Sequence, residues 1–297
     1  MLGFVRLSRL KFLVGGVIGG ALGTTVAAFA FGSVSWRWYA LAQATITSLH
    51  LMTQYANEYF DRECDTGSER TPFSGGSGAL QEGSMPAATA LAAAMVCAVL
   101  GIGGAALLIS TGRTTAGTLA LAIALLSWFY SAPPFRLLAH GVGELDTAFI
   151  VGILVPLCAY AAQTQTVDAR MLASTLPLAG ATFAMMICVE VPDVRVDAAG
   201  GKRTLVVRTG LKRAHMLVVL GLSLAVAGVV IGVLLAAPVT FAAMVAVALP
   251  AASGTERALR QRRWEAPTGR AQIAARGVST FFLIGVGSVL GYLVALP

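Results

Sequence analysis

Long apolar stretches alternate with short polar connections along the whole chain. A helix needs about 20 predominantly apolar residues to cross the ~30 Å hydrocarbon core of a bilayer. Stretches of roughly that length occur at 10–32, 36–60, 86–110, 114–131, 141–163, 168–192, 212–235, 238–253 and 270–296. Because a lipid-exposed backbone must satisfy its own hydrogen bonds, the pattern predicts an all-α, polytopic membrane protein. We expect nine transmembrane helices in a single domain that spans residues 1–297.

The second stretch differs from the others because polar side chains interrupt it at regular intervals. Polar groups inside a membrane helix are costly, so they usually face a cavity or another helix instead of lipid. The interrupting residues are Gln43, Thr45, Thr47, His50, Gln54 and Asn57. We therefore expect one face of this helix to line a cavity within the protein.

Composition and charge fit this class. Hydrophobic residues make up 57% of the chain and charged residues only 12%, which is more apolar than a soluble protein requires. The net charge of +7 would suggest nucleic-acid binding in a soluble protein. Membrane proteins, however, carry excess Lys and Arg in their cytoplasmic loops, so we expect no nucleic-acid partner. The basic and apolar N-terminus resembles a signal peptide, but its apolar run continues to about Phe31 without a cleavage site, which favours a first membrane helix.

The distribution of basic residues predicts the orientation of the helices. All but three of the 21 Lys and Arg residues fall in one set of alternate connections, and the three exceptions are Arg37, Arg113 and Arg170. The side of the membrane that holds the basic loops is normally the cytoplasmic one. We therefore expect a cytoplasmic N-terminus and a C-terminus on the opposite side, in a bacterial or archaeal cell membrane.

Two acidic clusters, far apart in sequence, fall on the predicted cytoplasmic side. Asn57, Asp61 and Asp65 are spaced four residues apart, so on a helix all three project from one face. Asp193 and Asp197 repeat that spacing after the sixth apolar stretch. Carboxylates beside hydrocarbon need a metal ion, a partner charge or water to compensate them. Solvated loop acids are the alternative for one cluster, but two matching clusters on one side favour a shared site.

The expected occupant of this site is Mg²⁺ that carries a diphosphate. Mg²⁺ prefers oxygen ligands and usually takes one or two carboxylates together with phosphate oxygens and water. A diphosphate also needs direct contacts with cations. The adjacent loops supply four candidates for this role, which are Arg70, Arg136, Lys202 and Arg203. Lys202 is the strongest of them, because it follows Asp197 closely in a loop that two glycines free to fold over a phosphate.

Four segments of the sequence together resemble the UbiA superfamily of intramembrane prenyltransferases. In order, they are NEYFDRECD, RTPFSGGSGAL, YSAPPFRLLAHGVGEL and EVPDVRVDAAGGKRTLVVRTG, and the resemblance covers Leu7 to about Gly210. It implies a nine-helix bundle around a central cavity. It also implies an enzyme that, with Mg²⁺ as cofactor, transfers the prenyl group of an isoprenyl diphosphate to a lipophilic aromatic acceptor.

The resemblance assigns roles to individual residues. Asn57, Asp61 and Asp65 would hold one side of the metal-diphosphate unit, and Asp193 and Asp197 the other, with Asp61 and Asp193 essential for turnover. Lys202, Arg136 and Tyr130 would lie near the phosphates or the acceptor. His50, Gln54 and Glu190 are further candidates for the acceptor or prenyl pocket. This chain departs from the pattern of some members at Val189, one turn before Asp193, which leaves open whether Glu190 reaches a metal.

The phrasing of the last segment most resembles the branch that prenylates 1,4-dihydroxy-2-naphthoate, in menaquinone biosynthesis. Acceptors such as 4-hydroxybenzoate, homogentisate, chlorophyllide or a glycerophospholipid stay open, as do a terpene cyclase, the prenyl chain length and the oligomeric state. A cation-coupled transporter is the alternative from another class. It predicts acids near the middle of the bilayer and repeated halves, whereas here the acids sit at the cytoplasmic edge.

Overall fold

Helices form the regular structure of the chain. The computed structural model describes residues 2–66 and 70–296, and these residues contain no strand. We number nine helical segments of this described part in chain order. They are α1 Val14–Phe31, α2 Trp36–Phe60, α3 Ala87–Ser110, α4 Thr114–Phe129, α5 Gly143–Thr164, α6 Ala169–Glu190, α7 Ala214–Leu234, α8 Val239–Ala246 with Leu249–Arg260, and α9 Pro267–Leu293. Each overlaps one of the apolar stretches of the sequence.

Two of these helices are irregular, and a proline accompanies each irregularity. α5 contains a π-helical segment, Ile150–Leu154, which ends two residues before Pro156. α8 was expected as one short helix over 238–253, but it runs to Arg260 and bends by 40° just before Pro250. Proline removes a backbone donor and clashes with the preceding turn, so a helix widens or breaks ahead of it. The sequence-based boundaries missed the bend because the apolar pattern continues across it.

The apolar helices indicate an integral membrane protein. Within the described residues, six helices are long and apolar enough to cross a bilayer, or seven if the bent α8 forms one span. They are Gly3–Phe31, Ala87–Ser110, Gly143–Thr164, Ala169–Glu190, Leu211–Leu234 and Pro267–Leu293. α2 is long enough but carries the predicted polar face, and α4 is apolar but has only 16 residues. The prediction of an all-α, polytopic membrane protein is therefore confirmed, whereas the count of nine membrane crossings is not confirmed over the described residues.

The helices surround a cavity. α2 packs against α3, α6 packs against α7 and α9, and α1 contacts α2, α5 and α9, so the first and last helices lie side by side. α3 and α7 lie toward the outside, where residues such as Val99 and Leu220 are exposed. Exposed apolar faces of this kind are stable in lipid and not in water. The wall of the cavity comes from α1, α2, α5, α6, α9 and the end of α4.

Close packing of α6 on α7 depends on glycine. A Cβ added to Gly180 of α6 would overlap the carbonyl oxygen of Gly221 on α7, whereas a Cβ on Gly103 of α3 would meet nothing within 4 Å. Small residues let membrane helices approach this closely. We expect Gly180→Val to destabilise the protein by about 1–3 kcal/mol, because overpacking forces the helices apart.

Thermal unfolding in detergent measures this effect, with Gly103→Ala as the matched glycine control. Gly103→Ala should leave the unfolding temperature unchanged or raise it, since alanine favours a helix over glycine by about 0.5–1 kcal/mol. Equal unfolding temperatures for wild type and Gly180→Val would contradict the described contact between α6 and α7.

Candidate functional site

A cavity of 740 Å³ lies between the helices and ends in a polar cluster. Much of its wall is apolar, with Phe12, Met185, Val189, Phe281 and Phe282 among the lining residues. Ten residues singled out from the sequence line it, and they are His50, Gln54, Asn57, Asp61, Asp65, Tyr130, Glu190, Asp193, Asp197 and Lys202. An apolar pocket with a few converging polar groups is the usual form of a site for an amphipathic ligand.

The first acidic cluster is set by the end of α2. Asn57 lies in its last turn, and Asp61 is the residue at which the helix ends. The Nδ2 of Asn57 donates to Oδ2 of Asp61 at 2.8 Å and to Oγ of Ser131 at 2.9 Å. These bonds fix the Asp61 carboxylate and attach it to the segment that follows α4. The four-residue spacing read from the sequence thus brings amide and carboxylate together on one face.

The second cluster is set by the end of α6. The helix stops at Glu190, and a short helix, Val194–Ala199, begins after Asp193 and carries Asp197. The backbone N–H of Gly75 donates to Oδ2 of Asp193 at 3.0 Å. Within the described chain, the buried Oδ1 of Asp193 has no hydrogen-bond partner. Buried polar atoms are nearly always paired, so an unpaired carboxylate oxygen in a cavity suits a ligand site.

Lys202 joins the two clusters. Its Nζ lies 3.0 Å from Oδ2 of Asp61, 3.5 Å from Oδ1 of Asp65 and 3.5 Å from Oδ1 of Asp197. The lysine side chain is only 7% exposed, so these contacts are shielded from water. The backbone N–H of Lys202 also donates to the carbonyl oxygen of Asp197 at 2.8 Å, which closes the glycine loop. Acids about 130 residues apart therefore share one cation.

Crowding and burial shift the pKa values of the acids upward. Burial raises the pKa of Asp193 to about 7, and the negative charge of Asp197 adds to the shift. Burial raises the pKa of Asp65 to about 6, although Lys202 opposes that shift. Burial alone would lower the pKa of Lys202, but the three carboxylates raise it above its usual value. The site holds more negative charge than one ammonium group compensates.

A loop between α2 and α3 covers the acidic clusters. Glu58, which is 1% exposed, accepts hydrogen bonds from the N–H and Oγ of Ser77 at 2.7 and 2.6 Å. Gly76 has a φ of 66° and passes so close to Asp65 that an added Cβ would lie 2.8 Å from Oδ2 of that residue. Only glycine fits there without strain. The loop thereby places backbone N–H groups over the acids.

Three residues of the site, Arg9, Lys11 and Glu58, were not among the predicted site residues. Arg9 and Lys11 line the cavity, whereas sequence reasoning counted them only among the basic loop residues that orient the protein. Arg9 lies 3.5 Å from Glu58, and Lys11 donates to the carbonyl oxygen of Pro72 in the covering loop. Glu58 was also passed over, although its position within the NEYFD segment was the available clue.

Three predicted diphosphate contacts do not line the cavity. Arg70 forms an ion pair with Glu82 on the outer side of the covering loop. Arg136 and Arg203 are exposed; Arg203 follows the buried Lys202 directly, and its N–H donates to the carbonyl oxygen of Ala139. Neighbouring residues in a loop point in different directions, so Lys202 can be buried while the adjacent Arg203 is exposed. Contact between these three residues and a diphosphate stays a prediction.

The donor atoms of the cluster are those of a hard cation. Asn57, Asp61, Asp65, Asp193 and Asp197 present only oxygen acceptors and one amide, as Mg²⁺ prefers. Over residues 2–66 and 70–296, no three His, Cys, Asp or Glu residues are arranged as a ready metal centre. The Lys202 ammonium group lies among three of the carboxylates. The residues fit Mg²⁺ by their chemistry, and the unpaired Oδ1 of Asp193 supports that fit.

Comparison with protein families and curated proteins gives two matches. Residues 16–292 match the model of the UbiA prenyltransferase family. A 2-carboxy-1,4-naphthoquinone phytyltransferase of Synechocystis sp. is 33% identical over 87 residues, which are 29% of this chain. The matched segment spans only 28% of that phytyltransferase.

Solved structures of similar fold cover almost the whole chain. A UbiA homolog from Archaeoglobus fulgidus superposes with a TM-score of 0.68 at 15% identity, over 99% of each chain. One from Aeropyrum pernix K1 gives 0.67 at 15% identity, over 94% of this chain and 98% of that one. The Archaeoglobus protein bound to GPP and Mg²⁺ gives 0.61 at 14% identity, over 98% and 99%. At these identities the likeness establishes the fold.

The raised pKa values predict how stability depends on pH. Asp193 and Asp65 titrate near 7 and 6 in the folded protein, but near 3.9 when unfolded. The folded state therefore binds more protons in this window, and stability is lost as the pH rises through about 6 and 7. Mg²⁺ bound to these carboxylates would compete with those protons. We expect Mg²⁺ to raise the unfolding temperature more at about pH 8 than at about pH 5.

Thermal unfolding in detergent, with and without Mg²⁺, measures this dependence, and Ca²⁺ at equal concentration tests the choice of ion. In the Asp193→Asn variant, the pH dependence and the effect of Mg²⁺ should both shrink. An equal effect of Mg²⁺ at both pH values would show that these carboxylates do not bind it.

Proposed function

This chain belongs to the UbiA prenyltransferase family, and we propose that it transfers a prenyl group from a prenyl diphosphate to an aromatic acceptor in a Mg²⁺-dependent reaction. The observation that carries the proposal is the convergence of both acidic clusters on Lys202 at the polar end of an apolar cavity. The polar end suits a metal-bound diphosphate. The apolar remainder suits the prenyl chain, which water would not solvate.

Asn57, Asp61, Asp65, Asp193 and Asp197 would hold Mg²⁺ together with oxygens of the diphosphate. The ion, when bound, neutralises the charge that builds up on the departing diphosphate. Two solved relatives, described as bound to GPP with Mg²⁺ and to DMAPP with Mg²⁺, support this assignment through their similar fold.

Three cationic side chains around the cavity would bind the diphosphate together. Lys202 lies between the acids, and Arg9 and Lys11 approach from the N-terminal segment. The covering loop shields this end from water, which strengthens electrostatic contacts and keeps water from an allylic cation. As the C1–O bond breaks, the fixed cations stabilise the negative charge of the leaving group without reorganisation.

The cavity opens between α1 and α9. Val14 of α1 and Phe282 of α9 both line it, and they are 40% and 47% exposed. In a bilayer this opening would face lipid. We propose it as the route by which the prenyl chain and a lipophilic acceptor enter from the membrane. With the basic loops on the cytoplasmic side, the acidic end then faces the cytoplasm, in a bundle of nine spans.

The acceptor we propose is a hydroxynaphthoate of the 1,4-dihydroxy-2-naphthoate type. The similarity to a 2-carboxy-1,4-naphthoquinone phytyltransferase supports this choice, together with the phrasing of the second acidic segment. The test is to incubate the purified protein with geranylgeranyl diphosphate, Mg²⁺ and a panel of aromatic acids. Prenylated naphthoate supports the proposal. Product from another acid corrects the acceptor, and diphosphate release without any acceptor indicates a cyclase.

Loss of a metal-binding carboxylate should stop turnover and leave the fold intact. We expect Asp193→Asn to lower kcat/KM by about 100-fold or more, because the developing charge of the diphosphate loses its compensation. Asp61→Asn should behave alike. Product formation in detergent, with size-exclusion profiles to confirm folding, measures the effect.

Glu63→Gln is the matched control. Glu63 lies two residues after Asp61, but its side chain is 86% exposed. This control should keep full activity. Wild-type rates in Asp193→Asn would remove Asp193 from the proposed site.

A further inference from the structure

A second, smaller cavity of 80 Å³ adjoins the main one, and the mechanism above makes no use of it. The two cavities share lining residues, so they meet along a common wall. We call the smaller one the side chamber. Its polar lining residues are His50, Thr53, Ser127, Tyr130, Asp146 and Thr147. The other lining residues, such as Ile46 and Ile123, are apolar.

Asp146 is the residue of the side chamber that packing does not explain. It is 6% exposed, and in the described part of the chain its buried Oδ2 has no hydrogen-bond partner. Buried carboxylates are rare unless a partner compensates them. Asp146 lies on α5, one turn before the π-helical segment Ile150–Leu154. Such segments are frequently found at functional sites.

The side chamber lies at a definite depth below the acidic clusters. His50 and Thr53 precede Asn57 on α2 by two turns and one turn, which is roughly 6–10 Å along the axis. Tyr130, which also lines the side chamber, directly precedes Ser131, and Ser131 accepts a hydrogen bond from Asn57 at 2.9 Å. A ring that presents one carbon to a prenyl C1 beside the diphosphate would reach this depth with a hydroxyl group on its other side.

We propose that the side chamber receives a hydroxyl group of the aromatic acceptor, and that Asp146 is the catalytic residue that takes the proton of this hydroxyl during prenyl transfer. The inference rests on the proposed function and adds to it the chemical class of the acceptor, a ring with a free hydroxyl ortho or para to the attacked carbon. The neighbouring hydroxyl groups of Ser127 and Thr147 suit the polar edge of such a ring.

The bond between prenyl C1 and the diphosphate oxygen breaks, and its electron pair leaves with the diphosphate. A ring carbon supplies the pair for the new carbon–carbon bond, while the hydroxyl proton moves to the Asp146 carboxylate and leaves a ring carbonyl. The hydrogen of the alkylated carbon then departs as a proton with the diphosphate, and Asp146 returns its proton to the ring oxygen. Deprotonation of the hydroxyl makes the ring more nucleophilic at the moment of attack.

The test compares Asp146→Asn with wild type, using 1,4-dihydroxy-2-naphthoate and geranylgeranyl diphosphate with Mg²⁺. We expect kcat to fall by about 10²–10⁴-fold, as for other general bases. The affinity for the prenyl diphosphate should not change, which separates this role from a structural one. Asp146→Glu keeps a carboxylate and should recover part of the lost rate. Asp168→Asn is the matched control, because Asp168 caps α6 at the other end of the bundle and asparagine caps as well.

A measurement on the wild-type protein keeps the proposal testable if Asp146→Asn does not fold. The dimethoxy counterpart of the naphthoate has no hydroxyl proton to give, and wild type should prenylate it at least about 100-fold more slowly. Equal rates for the two acceptors, or a wild-type rate in Asp146→Asn, overturn the role of Asp146 while prenyl transfer itself stands. Failure of wild type to prenylate any aromatic acid overturns the proposed function and this inference together.

Discussion

The compensation of buried negative charge is the constraint on which the rest of this structure depends. Lys202 lies within 3.5 Å of carboxylates from both clusters, in surroundings that exclude water. Removing one partner from such a buried group leaves a charge without compensation, which typically costs about 3–5 kcal/mol. The ends of α2 and α6 must therefore meet, and the loops that follow them must fold inward. Since one ammonium group does not balance all the acids, the site is suited to a further cation.

Burial of the polar groups matters for the proposed reaction as well as for the fold. The covering loop, held by Glu58 through Ser77, keeps water from the polar end of the cavity. In such a site, fixed charges act more strongly than they would in water. One to two helical turns from Asn57, the side chamber holds Asp146, whose buried Oδ2 has no hydrogen-bond partner in the described part of the chain. We interpret the cavity as three adjoining regions, which would bind the diphosphate, the prenyl chain and the acceptor hydroxyl. Their neighbourhood suits a reaction between the prenyl group and the acceptor.

The sequence predicted the helical segments and the shared face of Asn57 and Asp61, because both depend on local periodicity. Apolar length marks a helix, and four-residue spacing places Asn57 and Asp61 on one face, where the structure shows them bonded. It predicted less where tertiary contacts decide. Nothing local distinguishes Arg9, which lines the cavity, from Arg203, which is exposed. The bend in α8 and the role of Glu58 depend in the same way on what packs nearby. The count of membrane crossings does too, because α2 carries polar residues on the face that lines the cavity.

The central claim is that acids from both halves of the sequence hold one metal-diphosphate unit, and a double-mutant cycle tests it most directly. Asp65→Asn, Asp197→Asn and the double variant would each be titrated with prenyl diphosphate in the presence of Mg²⁺, and the dissociation constants compared. If both carboxylates act on the same unit, the losses should be non-additive by about 1 kcal/mol or more. Additive losses, or a loss from one cluster alone, would contradict the account.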